Sequence, residues 1–139
     1  MRRRITLAVA ALMVAVLAMA CSPEQRHVVE EINRFRAANG VAALEWEAGA
    51  EKKATDWSYR MASAGTLSHS RLSEGIAPGW KALGENVAYN STLDGALRAL
   101  EKSPGHRANL LNPAFDHVAV GAVKVGDLWW VTQVFIDRV

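Results

Sequence analysis

Apolar residues recur at helical spacing through the first two thirds of the chain beyond residue 21 and run almost unbroken near its end, so the sequence predicts helices first and strands last. Val28, Ile32 and Phe35 form the first stripe, with Glu30, Arg34 and Arg36 among the polar positions. Ser22-Pro23-Glu24-Gln25 supplies a cap residue, a proline at the first helical position and Gln at the third, and Asn39-Gly40 ends the helix. Ala50, Ala54, Trp57 and Met61 predict a second helix over about residues 48–64, stopped by Gly65. Residues 66–81 are rich in Ser and Gly, contain Pro78 and hold no period; they read as a loop carrying His69. A short strand is expected over Glu85–Tyr89. Ser91-Thr92 then caps a third helix over Leu93–Lys102, with Ala96, Leu97 and Leu100 inward. Ser103-Pro104 repeats the cap-then-proline signal and opens a short fourth helix with His106 on it.

The end of the chain obeys a different rule. "HVAVGAV" and "WWVTQVFI" are apolar on both faces and flank "KVGDL", where Gly126-Asp127 suits a two-residue hairpin turn. Strands without alternation are covered on both sides. Helices followed by such strands give an α+β fold: a three-layer α-β-α sandwich with a small, mainly antiparallel sheet between helical layers, formed as one domain by residues 22–139.

The first twenty residues change the charge picture. Arg2, Arg3 and Arg4 precede a stretch from Ile5 to Ala20 in which Thr6 alone is polar, the pattern of an export signal and too short for a spanning helix of about 20 residues. The single cysteine, Cys21, stands where this stretch ends. The junction is similar to a bacterial lipoprotein signal, which would make Cys21 the lipidated first residue of the mature chain, although Ala18 stands where that signal has Leu, Val or Ile. Without the three leader arginines, 16 basic residues become 13 against 14 acidic ones, a net charge of −1. No basic cluster remains, which excludes a nucleic-acid partner. With one cysteine, the exported domain has no disulfide and depends on its core.

Three stretches offer chemistry: "LSHS" with His69, "GENVA" with Glu85 and "SPGHR" with His106, each beside a Gly or Ser-rich break. Two imidazoles and a carboxylate that converge can ligate a divalent metal such as zinc with a position left for water, or move a proton from a bound water. Neither use is selected by spacing alone. Asn86 and Ser103 flank these groups, and Gln133 needs partners for its amide in an apolar strand. Ser103 reads as a helix cap whose hydroxyl accepts from a backbone N–H.

"LSHS", "GENVA" and "SPGHRANLLNPAFDHVAVG", followed by "WWVTQVF" after the hairpin, resemble in order and spacing the CAP superfamily of cysteine-rich secretory, antigen 5 and pathogenesis-related 1 proteins, and most nearly its short bacterial members. The resemblance covers about residues 26–136. It implies an α-β-α sandwich outside the cytoplasm with a central cavity where two His and two acidic residues meet and some members bind zinc or another divalent metal. The histidines fall on His69 and His106 and one carboxylate on Glu85. The second carboxylate would fall on Ser103, and a tryptophan usual in the preceding helix is replaced by Leu100.

Two functions follow as expectations. In the first, this is an exported, lipid-anchored, non-catalytic binding module for a metal ion, a small, lipid-like or peptide ligand, or an envelope partner. It would touch the membrane through the N-terminal lipid only. In the second, it is a metal-dependent peptidase or esterase using the same cavity. Three acid-base groups in place of four favour the first.

Overall fold

The structure, a computed structural model, describes residues 21–139; the leader 1–20 lies outside the described residues. Along the chain run α1 (Pro23–Ala38), β1 (Glu45–Trp46), a 3-10 turn (Ala48–Ala50), α2 (Glu51–Ala64), β2 (Trp80–Asn90), α3 (Leu93–Lys102), α4 (Pro104–Leu111), β3 (His117–Val125) and β4 (Leu128–Arg138). The start of α1 forms as its sequence predicts: Ser22 Oγ accepts from Gln25 N at 3.1 Å while Gln25 Oε1 accepts from Ser22 N at 2.8 Å. Gln25 Nε2 also donates to Glu51 Oε1 at 2.7 Å and Val120 O at 3.0 Å, tying this end of α1 to α2 and β3.

The strands form one sheet in the order β1-β3-β4-β2, with β1 parallel to β3 and the other pairs antiparallel. Gly126, at φ 60°, makes the expected hairpin turn, and Val125 pairs with Leu128. Two elements depart from the sequence reading. β1 was not anticipated, and β2 starts at Trp80, five residues before the predicted strand, because its backbone pairs with β4 as far as Arg138. The predicted second helix opens instead with the 3-10 turn.

Alternation along the strands sorts the core into two layers. Val118, Val120, Val131 and Phe135 meet Val28 and Ile32 of α1, Leu97 and Leu100 of α3 and Leu110 of α4. Their neighbours Ala119, Val123, Trp130 and Val134 face α2. The helical layers expected from the sequence are therefore α1, α3 and α4 on one face and α2 on the other. In β2 the same alternation sends Leu83 and Val87 toward α2, and Ala82 and Ala88 toward the three-helix layer.

Helix α2 lies unusually close to the sheet. Ala50 just ahead of it and its inward positions Ala54 and Ser58 are small and fully buried, and the residue beneath them is Gly121. A Cβ on Gly121 would stand 2.5 Å from the Ala54 carbonyl carbon and 2.7 Å from Thr55 N. Ser58 Oγ meets Thr132 Oγ1 at 2.8 Å in the same interface, so two buried hydroxyls satisfy each other.

Arg36 corrects the pattern in α1. The sequence places it among the polar positions, yet it is 1% exposed. Its guanidinium donates to four carbonyls: Ala42 at 2.6 Å, Leu110 at 2.9 Å, Asn112 at 3.1 Å and Phe115 at 3.2 Å. Burial lowers its pKa from the ordinary arginine value. The chain leaving α4 is thereby fastened to α1.

Candidate functional site

The free edge of β2 is where the three predicted groups lie. Glu85, between Leu83 and Val87, belongs to the α2 side of the sheet; Asn86 belongs to the other. The 66–79 loop brings His69 and Ser70 onto Glu85. His69 Nδ1 stands 2.9 Å from Glu85 Oε1, which also accepts from Ser70 N at 2.9 Å, and Ser70 Oγ donates to Glu85 Oε2. The Glu85 side chain is 3% exposed and that of His69 is 62% exposed, so the carboxylate forms the floor and the imidazole the outer surface. With the carboxylate as acceptor, Nδ1 of His69 donates to Glu85 Oε1, and Nε2 is the ring nitrogen left without a partner among the described residues.

His106 arrives from the opposite helical layer. It lies in the first turn of α4, and its ring bonds Ser103 rather than Glu85, with Nδ1 to Oγ at 2.8 Å. This corrects the reading of Ser103. The residue occupies the cap position, but its hydroxyl makes no cap bond, because the imidazole one turn ahead competes for it successfully. The main chain of His106 is held from the sheet: Asn86 Nδ2 donates to His106 O at 3.1 Å and to Gln133 Oε1 at 3.1 Å, while Asn109 Nδ2 donates to Asn86 Oδ1 at 3.0 Å. Asn86 and Gln133, both buried, are thus supports of His106 rather than surface groups. Gly84 lets this pairing close up, since a Cβ there would lie 2.9 Å from the Phe115 ring and 3.1 Å from Asn109 Oδ1.

Two contributors escaped the sequence reading. Ser70, adjacent to His69 in "LSHS", supplies two of the bonds on Glu85. Lys53 of α2 donates to Ser70 Oγ at 3.0 Å and Arg71 O at 2.7 Å, completing a chain Lys53–Ser70–Glu85–His69. Burial lowers the pKa of Lys53, and the carboxylates of Glu85 and Glu74 oppose that shift. His117, by contrast, is a satisfied edge residue between Asp116 at 2.7 Å and Glu45 at 3.2 Å, which clasps β1 to β3. Lys81 pairs with Asp137 at 3.4 Å and not with Glu85.

Burial, and secondly the charge of His69, holds the His106 imidazole below the ordinary histidine value of 6.5. The unfolded chain therefore takes up this proton first. The stability contributed by neutral His106 is complete above pH 6.5 and is lost as the pH falls through the folded-state value. Melting temperatures measured from pH 7 down to about 5 are expected to decline less in His106→Asn than in the wild type. Parallel declines would assign the pH dependence elsewhere.

The donors available to a divalent ion are the two imidazoles, each oriented through Nδ1 by a side-chain partner, as metal-binding histidines commonly are. Among the described residues no three His, Cys, Asp or Glu side chains are set to hold an ion together. This is not a closed structural site.

These features define an α-β-α sandwich domain in which His69 and His106 are each tied to the free edge strand of its sheet, through Glu85 and Asn86. The chain belongs to the CAP family, the cysteine-rich secretory protein family, whose pattern matches residues 29–135. It is 32% identical over 126 residues to the uncharacterized protein YkwD of Bacillus subtilis, covering 84% of this chain and 48% of YkwD. It is 34% identical over 125 residues to the uncharacterized membrane protein YlbC of the same organism, covering 82% and 34%. An extracellular protein of Bacillus anthracis containing an SCP domain shares 30% identity and superposes with a TM-score of 0.72, covering 83% of this chain and 40% of that one. The chain thus spans half or less of the length of each of these relatives.

Proposed function

We propose that this chain is an exported binding module, anchored through a lipid on Cys21, whose His69 and His106 take up a ligand at the edge of the sheet. The observation that carries the reading is the engagement of Glu85. Its two oxygens already accept from His69, Ser70 N and Ser70 Oγ, three of about four acceptor sites, so the carboxylate serves to orient an imidazole. An exposed imidazole on a fixed support, as His69 provides, suits capture better than turnover. Export is supported by the leader pattern, by the extracellular relative of Bacillus anthracis and by the membrane protein YlbC.

A divalent ion of the zinc type is the simplest such ligand. His69 and His106 would hold it, and it would supply a Lewis-acid centre open to a further small, lipid-like or peptide ligand. In equilibrium dialysis of the mature domain against zinc, the wild type is expected to retain metal that His69→Ala and His106→Ala both lose. Equal metal content in all three would refute the metal reading. Among the described residues no helix is long and apolar enough to cross a membrane. Mass spectrometry of the protein recovered from membranes should find acyl chains on Cys21, and a Cys21→Ser variant is expected in the soluble fraction.

A further inference from the structure

Behind His69, between α2 and the 66–79 loop, lies an open cleft of about 660 Å³, within the size range of small-molecule sites. Helix α2 contributes Lys52, Asp56, Trp57 and Arg60 to its wall, and the loop contributes Arg71 and Glu74. Two of the cations are already engaged. Lys52 pairs with Asp56 one turn along α2, and Lys53 is bound to the loop within the fields of Glu85 and Glu74.

Arg60 and Arg71 are different. Arg34, Arg36, Arg107 and Arg138 each donate to a protein acceptor. The guanidinium groups of Arg60 and Arg71, like that of Arg98 on α3, have neither hydrogen bond nor ion pair among the described residues. Two exposed forks that match carboxylate or phosphate oxygens thus stand in the walls of one cleft. Trp57 lies in the same wall with its Nε1 donating to Ser68 O at 2.8 Å, which fixes the ring against the loop and leaves the cleft an aromatic surface.

We propose that this cleft binds a small ligand bearing two or more oxyanion groups, carboxylates or phosphates, with Arg60 and Arg71 as the anion-binding residues and Trp57 as the surface for its carbon skeleton. The proposal rests on the binding-module reading and gives that module a ligand class. His69 lines the same cleft, so a bound anion lies beside its imidazole. Attraction between exposed charges of this kind weakens with salt.

The test is an NMR titration of the metal-free mature domain with citrate in one arm and inorganic pyrophosphate in the other, following the Trp57 indole N–H, assigned by Trp57→Phe. A saturable shift in at least one arm is expected, weakened tenfold or more in Arg60→Gln/Arg71→Gln and at high salt. The responding arm identifies the oxyanion. Both arginines are exposed and their guanidinium groups make no hydrogen bond or ion pair among the described residues, so the double variant is expected to melt with the wild type. Absence of saturation in both arms, or equal affinity in the double variant, overturns the proposal. A His69→Ala/His106→Ala variant separates the two readings. If it loses zinc and still binds the anion, both stand; if it keeps zinc and binds the anion, the cleft stands and the imidazole reading falls. Anion binding lost there and retained in the arginine variant overturns the cleft alone.

Discussion

Gly121→Ala is expected to destabilise the domain by about 3 kcal/mol, at the upper end of what overpacking a core costs. The added methyl would meet backbone, the Ala54 carbonyl carbon at 2.5 Å and Thr55 N at 2.7 Å, and no side chain can swing aside to admit it. Relief requires lifting α2 from the sheet, which also parts Ser58 from Thr132 and leaves two buried hydroxyls without their partner. A substitution at Gly105, where nothing lies within 4 Å of the new methyl, is the control. Urea denaturation should show Gly105→Ala at or above the wild-type midpoint and Gly121→Ala well below it. Equal midpoints would mean that α2 is not pressed on β3 as described.

Arg36→Met is expected to cost at least as much, roughly 3 kcal/mol or more, because it strands several buried carbonyls whose hydrogen bonds come from a charged donor. The four acceptors span Ala42, Leu110, Asn112 and Phe115, so a single side chain joins α1 to both ends of the turn after α4. Arg36→Lys keeps the charge but cannot reproduce a planar fork with five donors, and should recover only part of the loss. The effect should also reach the site, since α4 carries His106. Denaturation midpoints compared with the His106 ring signals would show both losses together. A fully stable Arg36→Met would contradict the role given to these bonds.

Helices and hairpin were legible because their signals are local. The stripe of Val28, Ile32 and Phe35, the Ser22–Gln25 box and the Gly126 turn each need only a few adjacent residues. The three groups at the β2 edge were legible as motifs, through "LSHS", "GENVA" and "SPGHRANLL". What failed depended on distant partners. β1 exists because Glu45 and Trp46 pair with His117 and Val118, more than seventy residues later, and no two-residue strand has a pattern of its own. Arg36 reads as a surface residue until the carbonyls beyond Leu110 fold over it. Ser103 reads as a cap until His106 competes for its hydroxyl. Lys53 stands sixteen residues before His69 and becomes part of the site only when α2 and the loop are laid side by side. Ser70 was visible beside His69, but nothing local says that a serine will hold a buried acid.

With the lipid proposed on Cys21, the capping box at the head of α1 would also set how far the domain can stand from a bilayer. Helix α1 begins at Pro23, and Arg26 Nη1 donates back to Cys21 O at 2.7 Å, so only Cys21 and Ser22 separate an acyl chain from folded structure. Two extended residues reach about 7 Å. A lipid on Cys21 would therefore give the domain no leash: it would rest against the headgroups with restricted tilt, and a ligand of the proposed site would have to come to the membrane surface.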